Sequence, residues 1–325
     1  MNCYKCGTLL NSSNRSKEHI IPNFLGGRLT SNYLLCQKCN SEFGETIDKE
    51  LNRQLGFAAN IIVQERHREE GERVVLIQTT SGKKAKVGKK FMPKPKLYIN
   101  LPTGEQIEII GKNEVELKKL ALKKKNELEK RFGEFKLTEF IEYPTSEKFH
   151  FENSTDLPAG VMEFGGKDYF RGIAKIILNF YLVKRPAVKP PPMLLDYVCG
   201  RLDRNQFLFI YHPVHYQIHE LANGEFSHII YLRGEKELQA IYCYVELFNF
   251  EKFICIIDDD YRGEDFTETY SCNSVNGDEL QKKVNIELYR HHIEDMQYVS
   301  LSHRKQRERS LHDLEKRIER LQFTF

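Results

Sequence analysis

The chain has 325 residues and no tryptophan, and its 49 basic and 46 acidic residues leave a net charge of only +3. So even a balance excludes a strongly polybasic protein held on nucleic acid or membranes by bulk charge; any such binding must rest on local clusters. No stretch approaches the ~18 consecutive apolar residues of a membrane span. Met1-Asn2-Cys3-Tyr4 lacks the basic and then apolar opening of a secretory signal. These absences predict a soluble, cytoplasmic protein with no membrane partner. No repeat at a fixed period is present, which excludes solenoids and propellers. What the chain does have is 21 phenylalanines, 16 tyrosines and 40% hydrophobic residues, a composition that predicts packed, strand-containing structure.

Three blocks are predicted. Residues 1–56 are short, cysteine-bearing and rich in turn residues. They end in a helix from Asn40 through Phe43, Ile47 and Leu51 to Leu55, apolar positions three or four apart on one face. Residues 57–145 read as a connecting α+β segment. It holds a strand at 73–79, a turn at Ser81-Gly82, a hairpin over 97–110 around Pro102-Thr103-Gly104, and a helix over 113–132 closed by Gly133. Leu117, Leu120, Leu122 and Leu128 are its expected buried side. Residues 146–325 read as an α+β regulatory or target-recognition domain. It opens with a helix at 168–183, has a shorter one near 194–202, then strands near 207–211, 227–233, 238–247, 251–258 and 266–272, and a charged helix over 301–321. The fold class is α+β, a small N-terminal domain followed by a larger mixed α/β body.

Four of the eight cysteines form two C-x-x-C pairs, Cys3/Cys6 and Cys36/Cys39, separated by 29 residues. In a reducing compartment such pairs read as metal ligands and not as disulfides. Two knuckles supply four thiolates for a tetrahedral zinc, and a block this small needs a structural metal to fold. Four sulfurs leave no open position, so the zinc is expected to be structural. Cys199, Cys243, Cys255 and Cys272 lack the spacing, and Cys243 and Cys255 read as ordinary buried thiols.

Between the knuckles lie Glu18-His19-Ile20-Ile21-Pro22, Gly26-Gly27, Asn32 and Leu34-Leu35, with Asn40 directly after Cys39. This ordered combination resembles an HNH (ββα-metal) endonuclease domain of the cysteine-framed kind, over residues 3–55. The resemblance implies two antiparallel strands and a helix around one divalent ion. Glu18 stands where the family has an Asp or His metal ligand, His19 where it has the general base. Asn32 matches the Asn that braces the loop between the strands. Asn40 matches the His or Asn that ligates the metal from the helix. Glu18 and Asn40 depart from the commonest residues but keep oxygen ligands, which favour Mg²⁺ or Mn²⁺ at this second site. A histidine with an ordinary pKa near ~6.5 can deprotonate water at neutral pH. Adjacent strand residues point to opposite faces, so a bend is expected at Glu18-His19.

The resemblance therefore implies an endonuclease hydrolysing phosphodiester bonds, with DNA ahead of RNA as substrate and a bacterial setting such as phage defence or restriction. The alternative is a zinc-ribbon protein that binds nucleic acid without cutting it. Lys5, Arg15, Lys17, Arg28, Lys38 and Arg53 flank the motif as candidate phosphate contacts, against a plain solvated surface. His212, His215 and His219 suggest a second metal centre, although Pro213 interrupts them. Leu311, Leu314, Ile318 and Leu321 suggest docking of the last helix on its own domain, ahead of a short dimer seam. A homodimer or a protein partner through the C-terminal body is left open.

Overall fold

A computed structural model describes residues 1–62, 75–78, 84–87, 96–101, 103, 106–110, 114–132, 140–142, 164–222, 224–296, 299–300 and eight positions between 303 and 317. Its elements run β1 (Glu18–His19), β2 (Thr30–Ser31), α1 (Gln37–Glu45), α2 (Ile47–Ile62), β3 (Val75–Gln78), β4 (Lys84–Val87), β5 (Lys96–Asn100), β6 (Gln106–Ile110), α3 (Glu114–Phe132), β7 (Phe140–Glu142), α4 (Lys167–Lys184), α5 (Pro192–Val198), β8 (Leu208–Ile210), β9 (Ser227–Glu235), β10 (Ala240–Leu247), β11 (Glu251–Asp258), β12 (Phe266–Asn273), β13 (Glu279–Leu280) and α6 (Arg290–Glu294). The result is α+β, with helices and antiparallel sheets. Among the described residues no helix is long and apolar enough to cross a membrane.

Two compact units result, residues 1–73 with 162–325, and residues 74–161. This division differs from breaks near 56 and 145. The reason is thermodynamic: the first block is too small to bury a core alone. One apolar cluster instead runs from Cys3, Ile20 and Leu51 through Ile173 and Ile177 to Val245 and Phe253. The helix predicted from Asn40 to Leu55 is two helices, broken at Thr46, whose hydroxyl donates to the Glu42 carbonyl. Ile47, Leu51, Leu55, Ala58 and Ile62 then form one buried face of α2. That face packs on α4 at Gly172, where a Cβ would meet the Ile47 carbonyl oxygen and Leu51 Cβ at 3.3 Å.

The main sheet is six-stranded, in the order β13-β12-β9-β10-β11-β8, and every neighbouring pair is antiparallel. Side chains alternate across it. Ile230, Leu232, Cys243, Val245, Phe253 and Cys255 join the large core with α4. Ile229, Tyr231, Tyr242, Tyr244 and Ile254 face the other way, onto Tyr211, Ile293 and Met296. Cover on both faces explains why β10 is buried from end to end. The C-terminal residues dock on this unit. Arg307 donates to both oxygens of the buried Glu251 at 2.9 Å, which also accepts from the Tyr169 hydroxyl at 2.7 Å. Leu314 is buried, and Arg317 donates to the Glu225 carbonyl at 3.1 Å.

In residues 74–161, β3 pairs with β4, and β5 lies between β6 and β7. The turn expected at Ser81-Gly82 and the helix stop at Gly133 lie outside the described residues, as does part of the helix expected over 301–321. Ala121 and Leu128, seven residues apart, form the buried line of α3. Leu120 and Leu122 are exposed, contrary to the buried side expected for them, because they flank that line.

The turn after β1 is tied to the sheet by His228 on β9. Its Nε2 donates to the Leu25 carbonyl at 2.7 Å, and its Nδ1 accepts from the Phe248 amide at 3.1 Å, which fixes a neutral tautomer. Burial pushes its pKa down to about 4. A depressed histidine binds a proton more readily in the unfolded chain, so its contribution is present above the unfolded value near ~6.5 and falls as pH drops towards about 4. Denaturant titrations of wild type and His228→Gln at pH 7 and pH 5 are expected to show this. The wild type should lose about 2 kcal/mol more than the variant on acidification.

Candidate active site

The knuckles form as the spacing requires. The Gly7 amide returns to the Cys3 carbonyl at 2.8 Å with Gly7 at φ 75°, and the Asn40 amide bonds the Cys36 carbonyl at 3.0 Å. The ligand sulfurs of Cys3, Cys6, Cys36 and Cys39 lie within 4.8 Å of one another. Burial raises the Cys3 and Cys39 thiols, while the Thr8 hydroxyl beside Cys6 pulls that thiol down to about 6. Sulfurs gathered this closely in largely buried surroundings need a cation to be stable as thiolates. The set fits a structural zinc with no open position. A cavity of about 550 Å³ beside the cluster is lined by Lys5, Lys38, Cys199 and Arg201, but by none of Glu18, His19 or Asn32.

The ββα arrangement is present. Glu18 pairs with Ser31 and His19 with Thr30, and α1 follows from the second knuckle. Gly26-Gly27 closes the turn between the strands. A Cβ on Gly27 would lie 2.1 Å from the Ile21 carbonyl oxygen, so no other residue fits there without displacement. His19 is half-buried, and Asn40 sits in the first turn of α1, its Nδ2 donating to Ser16 Oγ at 2.6 Å. Asn32 is exposed just past β2, and among the described residues its side chain makes no hydrogen bond. The local tie there is made by Ser31 Oγ, which accepts from the Tyr33 amide at 3.2 Å.

Glu18 points the other way from His19, into the core. It is 4% exposed. Its Oε1 accepts from Lys175 Nζ at 2.7 Å and from Asn179 Nδ2 at 3.0 Å, both on α4. Lys175 also bonds Asp48 Oδ2 at 2.7 Å, and Tyr4 donates its hydroxyl to Asn179 Oδ1 at 3.0 Å. Burial opposes the Lys175 charge, yet Asp48 and Glu18 outweigh it and hold the ammonium above its ordinary range. Burial, with Asp48 adding to it, raises Glu18 despite the lysine. Both shifts are consistent with two carboxylates surrounding one ammonium, an excess of negative charge that favours bound protons.

This placement departs from the ligand role expected of Glu18. An oxygen already held by a buried ammonium does not fit a divalent ion, which the same ammonium would repel. Lys175, Asn179 and Asp48 were not read as site residues from the sequence. The available signal was a lysine and an asparagine four apart within the apolar run of 167–183, where a solvated face has no place for them. Of the flanking cations, Lys5 pairs with Glu42, Arg53 with Glu50, and Arg28 donates to the Asn276 carbonyl. Arg15, Lys17 and Lys38 are exposed.

A paired-strand and helix unit closed by a four-cysteine cluster is the architecture of the ββα-metal nucleases. Compared with protein-family models, residues 3–56 match HNH endonuclease, and they constitute an HNH endonuclease domain. No curated protein and no solved structure matches the chain.

Four outcomes are expected. Protein purified without chelators should carry one zinc per chain by elemental analysis, and Cys36→Ser should lose it together with cooperative unfolding of the whole unit that shares the core. Lys175→Met should destabilise the protein by about 3–5 kcal/mol in urea titrations, because it strands two buried carboxylates. Tyr4→Phe, which removes one neutral hydrogen bond, should cost only about 1 kcal/mol.

Proposed function

We propose that the protein is an endonuclease that hydrolyses phosphodiester bonds, with DNA ahead of RNA as its substrate and His19 as general base. The observation that carries this reading is the half-buried His19, on β1 beside β2, within a domain matching the HNH endonucleases over residues 3–56. In the proposed reaction His19 takes a proton from water, and the water oxygen bonds to phosphorus. The bond from phosphorus to the 3′-oxygen breaks, and that oxygen takes up a proton. Arg15, Lys17 and Lys38 hold the flanking phosphates. Asn40, in the first turn of α1, is the remaining oxygen ligand for a catalytic Mg²⁺ or Mn²⁺ in this reading, and Asn32 acts on the loop between the strands. Glu18 would join the ligand set only by exchanging Lys175 for the ion. Residues 57–325 supply target selection, through surfaces such as the exposed lysines of α3 or through a homodimer or protein partner. The paired cysteines and the nuclease domain support an intracellular, cytoplasmic role in antiviral defence or restriction.

One observation favours a second reading. The Glu18–Lys175 bridge removes a mapped ligand, as expected of a zinc-stapled module that binds nucleic acid without cutting it. Cleavage of plasmid and of single-stranded DNA and RNA, with Mg²⁺ or Mn²⁺ added and with EDTA, separates the two. His19→Ala is expected to lose at least ~10²-fold in rate with zinc content and unfolding unchanged. No cleavage by wild type alongside retained, salt-sensitive binding would establish the second reading.

A further inference from the structure

The face of the main sheet away from α4 carries a second polar centre, distant in sequence from the HNH domain. A cleft of about 470 Å³ opens there, lined by the 212–219 segment, β10, β11 and the C-terminal residues Gln306 and Ser310. That volume exceeds what a lone ion needs and falls in the range of ~300–1,000 Å³ usual for small organic ligands.

Among the described residues, the buried polar side chains of the cleft have partners, with one exception. Glu246, fully buried, accepts from His219 Nε2 at 2.9 Å and Asn249 Nδ2 at 2.8 Å, and from the Tyr244 hydroxyl. Lys252 Nζ lies 3.7 Å from the same carboxylate. The other His219 nitrogen faces the Glu220 carbonyl at 2.9 Å, so both ring nitrogens act as donors and the imidazole is charged. Burial pushes His219 down, but the Glu246 carboxylate outweighs it and leaves it raised. The exception is His212. It is 2% exposed, its Nδ1 lies 3.2 Å from Ser310 Oγ, and its Nε2 is buried with no partner among the described residues. In the tautomer in which Ser310 donates to Nδ1, Nε2 carries the proton and has no acceptor among the described residues. An unmade buried hydrogen bond of this kind costs about 1–3 kcal/mol.

The charges around the cleft favour an anion. His219 and Lys252 carry two positive charges against the single carboxylate of Glu246, and that carboxylate's donors already surround it. A metal ion fits poorly, because Lys252 repels it and His219 offers no lone pair. Among the described residues the one group that could hold a metal is the cysteine cluster. Beside these donors, Val214 and Leu221 are exposed at 59% and 38%, apolar surface on the rim of a polar cleft.

We propose that this cleft binds a small organic phosphate. Lys252 and Ser310 take the phosphate oxygens, the buried His212 positions Ser310 from behind, and Val214 and Leu221 cover the organic part. The assignment does not depend on nuclease activity. It is tested on the full-length protein by calorimetric titration with 5′-AMP, ribose 5-phosphate, inorganic phosphate, citrate and Zn²⁺, for wild type, Lys252→Gln and His212→Asn. The expected result is saturable binding of at least one organic phosphate, tighter than inorganic phosphate or citrate, and weakened about tenfold or more in Lys252→Gln. Lys252 lies at the cleft edge, so its variant remains informative even if His212→Asn fails to fold. The proposal is overturned by the absence of organic-phosphate binding at millimolar concentration, by binding that Lys252→Gln leaves unchanged, by equal binding of citrate, or by Zn²⁺ binding in the cleft that displaces the phosphate.

Discussion

A buried ammonium between two carboxylates holds the HNH domain to the rest of its unit. Lys175 reaches from α4 to Glu18 on β1 and to Asp48 at the start of α2, and Asn179 one turn later ties Glu18 to Tyr4. Burying these charges is costly, and the arrangement is tolerable because nearly every polar atom has a partner; among the described residues Asp48 Oδ1 is the buried atom of this group without one. Lys175 Nζ also lies 5.4 Å from the centroid of Phe43, on α1, so strand, both helices of the domain and α4 meet at one cation. The two adjacent motif residues are thereby sorted by face. Glu18 serves the core, and His19, the next residue, lies half-buried on the other side.

The sheet extends this arrangement. Because β9, β10 and β11 are apolar on both faces, they support two separate assemblies. α4 and the HNH domain lie on one face, and the cleft segment with α6 on the other. Small domains usually stabilise a zinc cluster with a few apolar residues of their own. Here the apolar face of α2 continues into the core of the larger body, so the four-cysteine cluster and the sheet belong to the same unit.

Local pattern revealed what is locally determined. The zinc pairs, the Glu18-His19 position, α4 and the five long or short strands from β8 to β12 follow from spacing and alternation, and they lie within a few residues of their predicted limits. Thr46 broke a helix that the periodicity of Phe43, Ile47 and Leu51 carries straight through, because a change of axis leaves the apolar spacing intact. The inward direction of Glu18 depends on Lys175 and Asn179, and no window along the chain contains both sides of that contact. The same holds for His212, whose significance lies in an absent partner, and for His228, which meets the Leu25 carbonyl only after β9 has joined the sheet.

The hydrogen bond from Asn179 to Glu18 spans 161 residues. During synthesis the HNH motif leaves the ribosome long before α4 does. A chain that has reached only α2 has its cysteines but lacks the lysine that neutralises Glu18 and the helix against which α2 packs. Contacts of this separation carry a large loop-closure cost and slow folding. The buried ion pair of the HNH domain therefore cannot close until α4 has been made, and a chain interrupted before α4 carries the motif without the partners of Glu18.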